Sequence, residues 1–236
     1  ILNVNIALLC YGKMGKTIER IAESRGHNIV LKINNAATDY DITKADVAID
    51  FSIPNAAVGN LSKALNNNIP VISGTTGWLK DYDDIIRLCE ERDGAFIYAS
   101  NFSIGVNIFF ELNSQLAKMM SGFEKYKVHI EEIHHTQKLD APSGTAITLA
   151  EGIIKHSDYN DWSLNKNAQN SLSIESKRIE DVPGTHLINY DSIVDSIEIK
   201  HTAKNRDGFA VGAVIAAEWI LGKTGVFTMK DVLNIG

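Results

Sequence analysis

The first 33 residues carry an apolar run, a turn with two glycines, a helix and a second apolar run. Residues 4–9 are apolar enough to predict a buried strand, and residues 17–24 have the spacing of apolar side chains that is typical of a helix. Residues 28–33 predict another strand. A helix that connects two neighbouring strands lets the second strand run parallel to the first. The fold is therefore constrained to begin with a parallel strand–helix–strand unit.

The turn at the start of this unit matches most of the G-x-G-x-x-G sequence that binds dinucleotides. Gly12 and Gly15 match the second and third glycines, whereas Cys10 stands in the place of the first. Cysteine is small, so we expect the turn to form as long as that residue keeps a negative φ. The helix after the turn then offers its N-terminal amides to a pyrophosphate. The motif therefore predicts a dinucleotide cofactor, NADH or NADPH.

The choice between these two cofactors depends on the end of the second strand. An acidic residue there commonly accepts the ribose hydroxyls, but this chain has the pair Asn34-Asn35. Without a carboxylate, repulsion of a 2′-phosphate is lost, and Lys13 or Lys32 could attract one. Alternatively, Asp39 or Asp41 folds back and takes the acidic role. The sequence leaves both cofactors open.

The alternation of strands and helices continues to residue 99. Strands are predicted over 46–52, 69–73 and 95–99, helices over 56–65 and 83–92, and a glycine- and threonine-rich turn over 74–77. Repeated units of this kind predict a Rossmann-type, doubly wound parallel sheet. Ligands of such sheets bind at the carboxyl ends of the strands, where the 74–77 turn lies.

The pattern changes after a long predicted helix over 104–120. The strands predicted beyond it, over 126–134, 172–178, 185–190 and 193–202, favour an antiparallel or mixed sheet. Residues 156–170 are rich in Asn, Asp and Ser and predict an exposed loop or lid. An apolar helix over 209–221 follows and should be buried. We predict a Rossmann-type domain over 1–104 and 205–236, and a second α+β domain with a mixed or antiparallel sheet over 105–204.

Composition argues against several classes of function. The net charge is −6 and no basic stripe is present, which argues against a nucleic-acid partner. No apolar run is long enough to cross a membrane, and the start lacks the basic segment and cleavage site of a secretory signal. Cys10 and Cys89 are too few and too far apart for a disulfide framework. These observations predict a cytoplasmic protein without membrane contact.

Residues 131–145 concentrate groups that can carry chemistry. His134, His135 and Lys138 follow a predicted strand. Pro142 suits the first turn of a helix, and Ser143 or Thr145 can cap it. The free amides and the dipole of such a helix favour an anion. The stretch therefore predicts a carboxylate pocket with a proton donor beside it.

A metal site is the alternative explanation for two adjacent histidines. Neighbouring residues of a strand point to opposite faces, and the two cysteines lie far off in sequence. We therefore predict no metal site. The same alternation means that His134 and His135 can contact one small ligand only if the strand ends there.

Together these motifs resemble the 4-hydroxy-tetrahydrodipicolinate reductase (dihydrodipicolinate reductase) family over nearly the whole chain. The most specific match is the string His134-His135-x-x-Lys138-x-Asp140-Ala141-Pro142-Ser143-Gly144-Thr145. Shorter matches lie at residues 12–15, 48–52, 74–77, 99–107 and 208–213. The chain departs from the family at Leu9 and Cys10, where glycine or alanine is common, and at Asn34, where an acidic residue is common.

The resemblance implies an oxidoreductase of the diaminopimelate and lysine pathway that reduces a small dicarboxylate with NADH or NADPH. It implies that His134 gives and takes a proton and that Lys138 gives one. The substrate-binding residues that it implies are His135, Ser143, Gly144 and Thr145. The cofactor-binding residues that it implies are Leu9, Cys10, Tyr11, Gly12, Lys13, Met14, Asn34, Gly74, Thr75, Thr76, Ala99, Ser100, Asn101 and Phe102. It further implies that the C-terminal helix completes the Rossmann domain and that the second domain binds substrate and builds a homotetramer.

Two other functions are compatible with parts of this pattern. A non-catalytic NAD(H)-binding redox sensor would account for the glycine turns, although it gives the His134/Lys138 cluster no purpose. An amino-acid semialdehyde dehydrogenase would also combine a Rossmann-type domain with a mixed sheet.

Overall fold

The structure is a computed structural model that describes residues 3–34, 39–166 and 169–236. The chain divides into two compact units, one of Ile1–Ile104 with Asp207–Gly236 and one of Gly105–Arg206. Asn35, half of the pair that bears on cofactor choice, lies outside the described residues. Within the described ranges, no helix is long and apolar enough to span a bilayer.

The first unit contains a sheet whose described strands all run parallel, in the order β11-β5-β4-β3-β1-β2. These strands are β1 (Asn5–Leu8), β2 (Asn28–Lys32), β3 (Val47–Asp50), β4 (Val71–Ser73), β5 (Ala95–Tyr98) and β11 (Gly225–Phe227). Strands β1, β3, β4 and β5 are apolar along most of their length because both faces of the sheet are buried. The doubly wound parallel sheet that the sequence predicts is confirmed.

Helices cover both faces of this sheet. They are α1 (Lys13–Ser24), α2 (Pro54–Asn66), α3 (Tyr82–Glu91), α6 (Asp207–Ile220) and α7 (Met229–Leu233), with a 3₁₀ turn at Leu79–Asp81. Side chains of α1 and α6 pack in one apolar layer with Ile6, Leu8 and Ile49. Side chains of α2 and α3 pack in the other layer with Ala7, Ala48 and Phe96. The C-terminal segment thus belongs to the first unit, because α6 lies in its core.

The second unit contains a mixed sheet in the order β10-β9-β6-β8-β7. Its elements are α4 (Ile104–Met120), β6 (Lys127–His134), α5 (Gly144–Ile154), β7 (Asp161–Leu164), β8 (Ser171–Arg178), β9 (Gly184–Asp191) and β10 (Ser196–Ala203). β6 pairs parallel to β8 and antiparallel to β9. Apolar side chains of α4 and α5, such as Phe109 and Leu149, cover one face of the sheet.

β6 places polar groups at the end of an otherwise apolar row. Along this strand Val128, Ile130, Glu132 and His134 are buried in alternation, whereas the residues between them are more exposed. Alternation directs all four side chains to the face covered by the helices. The core of the second unit therefore ends in a carboxylate and an imidazole.

Two sequence-based predictions need correction, and two short elements were not predicted. Residues 161–164, predicted as part of an exposed loop, form the edge strand β7, which pairs with β8. Pro142 does not lie in the first helical turn, since α5 begins at Gly144 with Ser143 as its cap. β11, with 3 residues, and α7, with 5 residues, were not predicted because elements this short do not show a clear period.

Candidate active site

The strand that carries the candidate site ends at His134. The chain leaves the ladder at His135, so alternation no longer forces the two imidazoles to opposite faces. His134 is buried and His135 is half-buried. Among the described residues, Nδ1 of His135 is buried and has no hydrogen-bond partner.

His134 is held by the carboxylate of Glu132, two residues earlier on the same face of β6. Nδ1 of His134 hydrogen-bonds Oε2 of Glu132, whose side chain is fully buried. Nη2 of Arg178 donates to the other oxygen, Oε1, across 3.0 Å. Burial alone would raise the pKa of Glu132, but hydrogen bonds from His134, Ser176 and Arg178 outweigh it and lower that pKa to about 2. Glu132 is therefore a buried carboxylate that stays ionised.

Arg178 also holds the segment that carries Lys138. Its Nη2 donates to the carbonyl oxygen of Asp140 across 2.6 Å, and its Nε donates to the carbonyl oxygen of Lys138 across 3.3 Å. The planar guanidinium has donors in a fixed fork, so one side chain can bind several acceptors at set angles. One arginine from β8 thus contacts both the Glu132 carboxylate and the backbone on either side of Leu139.

The ammonium of Lys138 is paired within this segment. Nζ lies 2.8 Å from both carboxylate oxygens of Asp140. The hydrogen bond from Lys138 lowers the pKa of Asp140, whose side chain is largely exposed. An exposed ion pair of this kind is weak, so a bound carboxylate can compete with Asp140 for the ammonium.

The start of α5 lies next to these groups in sequence. Oγ of Ser143 accepts a hydrogen bond from the amide of Ala146 across 3.2 Å and lies 3.1 Å from Nε2 of His186. The Ser143 side chain is therefore already engaged as a cap. Gly144 is exposed and Thr145 is half-buried, and they form the first turn of α5. Their helix start suits an anion because of its dipole.

His186 is a further histidine of the cluster. It lies on β9, and its ring centroid is 5.0 Å from that of His134 at an interplanar angle of 70°. Burial, followed by repulsion from His134, lowers the pKa of His186 to about 3. His186 is consequently neutral near pH 7.

Glu132, His134 and His186 also offer three ligand atoms within 4.8 Å of one another. Hydrogen bonds already occupy all three side chains, to one another, Arg178 or Ser143. Arg178 would also repel a cation bound to the Glu132 carboxylate. We therefore interpret the group as a hydrogen-bond network, and the absence of a metal site stays a prediction.

Gly184 leaves room for the other side of the His134 ring. A Cβ atom at this position would lie 3.1 Å from Nε2 and 3.3 Å from Cδ2 of His134. A contact of this kind is tight, and the ring is held at its opposite nitrogen by Glu132. The glycine at the start of β9 thus lets His134 keep its place.

In the first unit, the predicted cofactor turn joins β1 to α1. Gly12 is the N-cap of α1 and supplies no side-chain cap, and the first turn of the helix carries no acidic residue. A Cβ atom on Gly15 would lie 2.3 Å from the carbonyl oxygen of Cys10, so only glycine fits there. This uncapped helix start suits the pyrophosphate of a dinucleotide. Cys10 is accommodated in the turn.

A charge cluster lies where the adenosine end of a cofactor would be expected. Lys32 and Tyr11 both contact the carboxylate of Glu19, Lys32 by an ion pair and Tyr11 by a hydrogen bond. Nζ of Lys32 also lies 4.8 Å from the centroid of the Tyr11 ring. The charge of Lys32 is thus balanced by Glu19. Asp41 accepts hydrogen bonds from Thr43 instead, and Asn34 is exposed.

The predicted cofactor residues on β4 and β5 lie at one edge of the sheet. Pairing of Ser73 with Asp50 and with Tyr98 brings these strand ends together. The Thr75 hydroxyl donates to the buried Asp50 carboxylate across 2.7 Å, while Thr76 is exposed. The other predicted cofactor residues directly follow β5. Ala99 and Asn101 are half-buried, Ser100 is exposed and Phe102 is buried.

Sequence reasoning missed several members of these networks, namely Glu132, Arg178, His186 and Asp50. Glu132 could have been predicted as buried, because it follows Val128 and Ile130 at every second residue along β6 and so lies on the same face of the strand. The contacts of Arg178 and His186 depend on the pairing of β6 with β8 and β9. No local pattern indicates them.

Family profiles match both units of the chain. The profile described as "Dihydrodipicolinate reductase, N-terminus" matches residues 4–102. The profile described as "Dihydrodipicolinate reductase, C-terminus" matches residues 105–233. The two matches together span almost the whole sequence.

Individual relatives agree with the profiles. The chain is 56% identical over 234 residues to the 4-hydroxy-tetrahydrodipicolinate reductase of Christiangramia forsetii, with 98% of both chains covered. It is 36% identical to the reductase of that name from Clostridium novyi, with 95% of this chain and 96% of the relative covered. A solved structure, dipicolinate-bound dihydrodipicolinate reductase from Paenisporosarcina sp. TG-14, has the same fold, with a TM-score of 0.77 at 20% identity and coverage of 96% and 98%. This chain belongs to the dihydrodipicolinate reductase family.

Proposed function

We propose that this protein reduces 4-hydroxy-tetrahydrodipicolinate to tetrahydrodipicolinate with NADH or NADPH, in the route to diaminopimelate and lysine. The observation that carries the proposal is the cluster of His134, Lys138 and the start of α5, in a chain whose relatives bear the name of this reaction. The dipicolinate bound by the solved relative is a small cyclic diacid of the same kind.

The proposed substrate is a ring with two carboxylates, a hydroxyl and an imine. Loss of water gives a conjugated imine, and reduction of that imine requires a hydride and one proton. The dinucleotide supplies the hydride when it is bound. His134 and Lys138 are the proposed proton-transfer groups, and the Lys138 ammonium also stabilises negative charge.

The substrate carboxylates would bind at the start of α5. The amides of Gly144 and Thr145, the hydroxyl of Thr145 and the imidazole of His135 are the proposed contacts. Ser143 supports them as the cap of the helix. A carboxylate that reaches Lys138 would compete with Asp140 for the ammonium.

The proposed cofactor contacts in the first unit are those that the family resemblance implies. The backbone of Leu9 to Met14 would bind the pyrophosphate, with the uncapped start of α1 as support. The segments Gly74 to Thr76 and Ala99 to Phe102, which follow β4 and β5, would contact the rest of the dinucleotide. Asn34 would lie near the adenine ribose.

We further propose a homotetramer assembled through the sheet of the second unit, in the cytoplasm. His129, Ser171 and Asn189 lie on the sheet face opposite Ile130 and Ile188. Each has a buried polar atom that finds no hydrogen-bond partner in the described part of the chain. The support for the assembly is the family resemblance, which implies a homotetramer built through this sheet.

One assay tests the activity. Purified protein is mixed with freshly generated hydroxy-tetrahydrodipicolinate, and the loss of NADH or NADPH absorbance is followed. We expect turnover with at least one cofactor. A redox sensor would bind the dinucleotide without turnover, and a semialdehyde dehydrogenase would turn over only with an aldehyde or its oxidation partner. Either result would overturn the proposal.

A further inference from the structure

We propose that Glu132 and Arg178 are positioning residues that fix the tautomer of His134 and hold the Lys138 segment in place. The inference deepens the proposed function, since it concerns the two groups assigned to proton transfer. It rests on hydrogen bonds among β6, β8 and the segment between His135 and Pro142.

The first step concerns the proton of His134. Glu132 is ionised and fully buried, so its oxygens can only accept hydrogen bonds. Nδ1 of His134 must therefore carry a proton, which leaves Nε2 as the nitrogen that exchanges a proton with a ligand. Nε2 is also the nitrogen beside Gly184, where the absent side chain leaves space. Glu132 thus keeps a proton on Nδ1, so that Nε2 is the nitrogen that takes up a proton and then gives it to the ligand.

The second step concerns the orientation of the Glu132 carboxylate. Arg178 donates to Oε1, which leaves Oε2 for His134. The same guanidinium donates to the carbonyl oxygens of Lys138 and Asp140. A change at Arg178 would therefore disturb both proton-transfer groups. Arg178 acts on the His134 ring through Glu132, and on Lys138 through the backbone carbonyl of that residue.

This arrangement makes a specific claim about Glu132→Gln. Arg178 presents N–H groups, so the glutamine must turn its carbonyl oxygen to Arg178 and its amide nitrogen to His134. Nδ1 of His134 then faces a donor and must lose its proton to Nε2. The wrong nitrogen is protonated, while the shape of the site is kept. In Glu132→Gln/Arg178→Met the glutamine is released, and its oxygen can return to His134.

The tautomer can be read directly from the ring ¹⁵N chemical shifts of His134, recorded at the alkaline end of a pH titration where they no longer change with pH. The chain has 7 histidines, so His134 is assigned by the signal that disappears in His134→Gln. We expect an Nδ1 proton in the wild type, an Nε2 proton in Glu132→Gln, and an Nδ1 proton again in the double variant. Nε2 protonation in the wild type or an unchanged tautomer in Glu132→Gln would overturn the role of Glu132. A double variant that keeps the Nε2 proton would overturn the orienting role of Arg178.

Kinetics give a second readout. We expect Glu132→Gln to lower kcat on the order of 10²-fold, with KM for the diacid changed by less than about 3-fold, because proton transfer is lost rather than binding. Arg178→Lys should lower kcat and raise KM together, because an ammonium cannot replace the fork that holds both groups. Glu151→Gln, on the exposed side of α5, is the matched control and should behave as the wild type.

The two proposals fail in different ways. A wild type that binds dinucleotide but shows no turnover sinks the proposed function, while the tautomer measurement still decides the role of Glu132. An active wild type with normal kcat in Glu132→Gln sinks the inference alone. Thermal melting of each variant shows whether it is folded.

Discussion

The hydroxyl of Thr75 donates a hydrogen bond to the buried carboxylate of Asp50 across 2.7 Å. Oγ of Ser73 and Nδ2 of Asn60 each donate to the same carboxylate across 3.0 Å. Nδ2 of Asn60 also donates to the carbonyl oxygen of Leu9 across 3.2 Å. One carboxyl group therefore joins the ends of β1, β3 and β4, where the proposed cofactor turns begin.

Asp50→Ala should loosen this edge of the sheet. Its removal leaves the hydroxyls of Ser73 and Thr75 and one N–H of Asn60 without this acceptor in a buried site, which costs on the order of 3 kcal/mol in the free energy of unfolding. We also expect weaker dinucleotide binding, because the Gly74–Thr76 turn loses its anchor. Urea unfolding and fluorescence titration with NADH measure the two effects. Asp84→Ala, an exposed change on α3, is the control, and equal stability of the two variants would contradict the prediction.

The proposed proton-transfer groups are tested by His134→Ala and Lys138→Ala. Each should lower kcat on the order of 10²-fold or more, because a positioned acid or base is lost. Lys138→Ala should in addition raise KM, since the ammonium also attracts a carboxylate. Steady-state kinetics with a saturating cofactor measures both parameters. Near-wild-type turnover in both purified variants would remove these roles.

His186 should make the protein sensitive to acid. Its pKa of about 3 in the folded state lies below the ordinary value of 6.5, so the unfolded chain binds an extra proton between these pH values. The free energy of unfolding should therefore fall as pH is lowered from about 6.5, by about 1.4 kcal/mol per pH unit for this group. His186→Gln should have a flatter profile in urea unfolding between pH 6.5 and 4. Parallel profiles for variant and wild type would contradict the assignment.

Gly184→Ala tests the space beside His134. The added Cβ would lie 3.1 Å from Nε2, so the ring or the start of β9 must shift by a few tenths of an ångström. We expect kcat to fall about 10-fold, because proton transfer depends on the position of that nitrogen. Gly59→Ala, in α2 with open space around it, is the control and should raise stability by up to about 1 kcal/mol without a change in kcat. Unchanged turnover in Gly184→Ala would show that the ring does not need this gap.

The sequence predicted the elements that have a strong local pattern. The long helix α4 has the predicted bounds, 104–120, and β6 differs from its prediction by one residue at its start. β7 was missed because its four residues are half-buried or exposed, and it forms through pairing with β8 rather than through an apolar pattern of its own. The spacing of apolar residues is enough to predict an element that buries one face. It is too weak to predict a strand at the edge of a sheet.

The candidate site was predicted only where its residues are close in sequence. His134, Lys138 and the start of α5 lie within one short stretch, and their chemistry is readable from spacing. Arg178 meets Glu132 across 46 residues of chain, so the contact depends on the register of β6 against β8. Sequence patterns find groups that can react, whereas the groups that position them come from sheet pairing.

Glu19 should influence the choice between NADH and NADPH. Its carboxylate balances the charge of Lys32, near the strand end where Asn34 replaces the usual acidic residue. Glu19→Gln would leave the Lys32 ammonium available to a 2′-phosphate, so we expect the affinity for NADPH to rise about 3- to 10-fold relative to NADH. Fluorescence titration with both cofactors measures this ratio, and added salt should reduce the gain because it screens the charge. Glu23→Gln, one turn further along α1 and exposed, should leave the ratio as it is. If Glu19→Gln also leaves the ratio unchanged, Lys32 does not reach the cofactor and its ion pair with Glu19 only stabilises the fold.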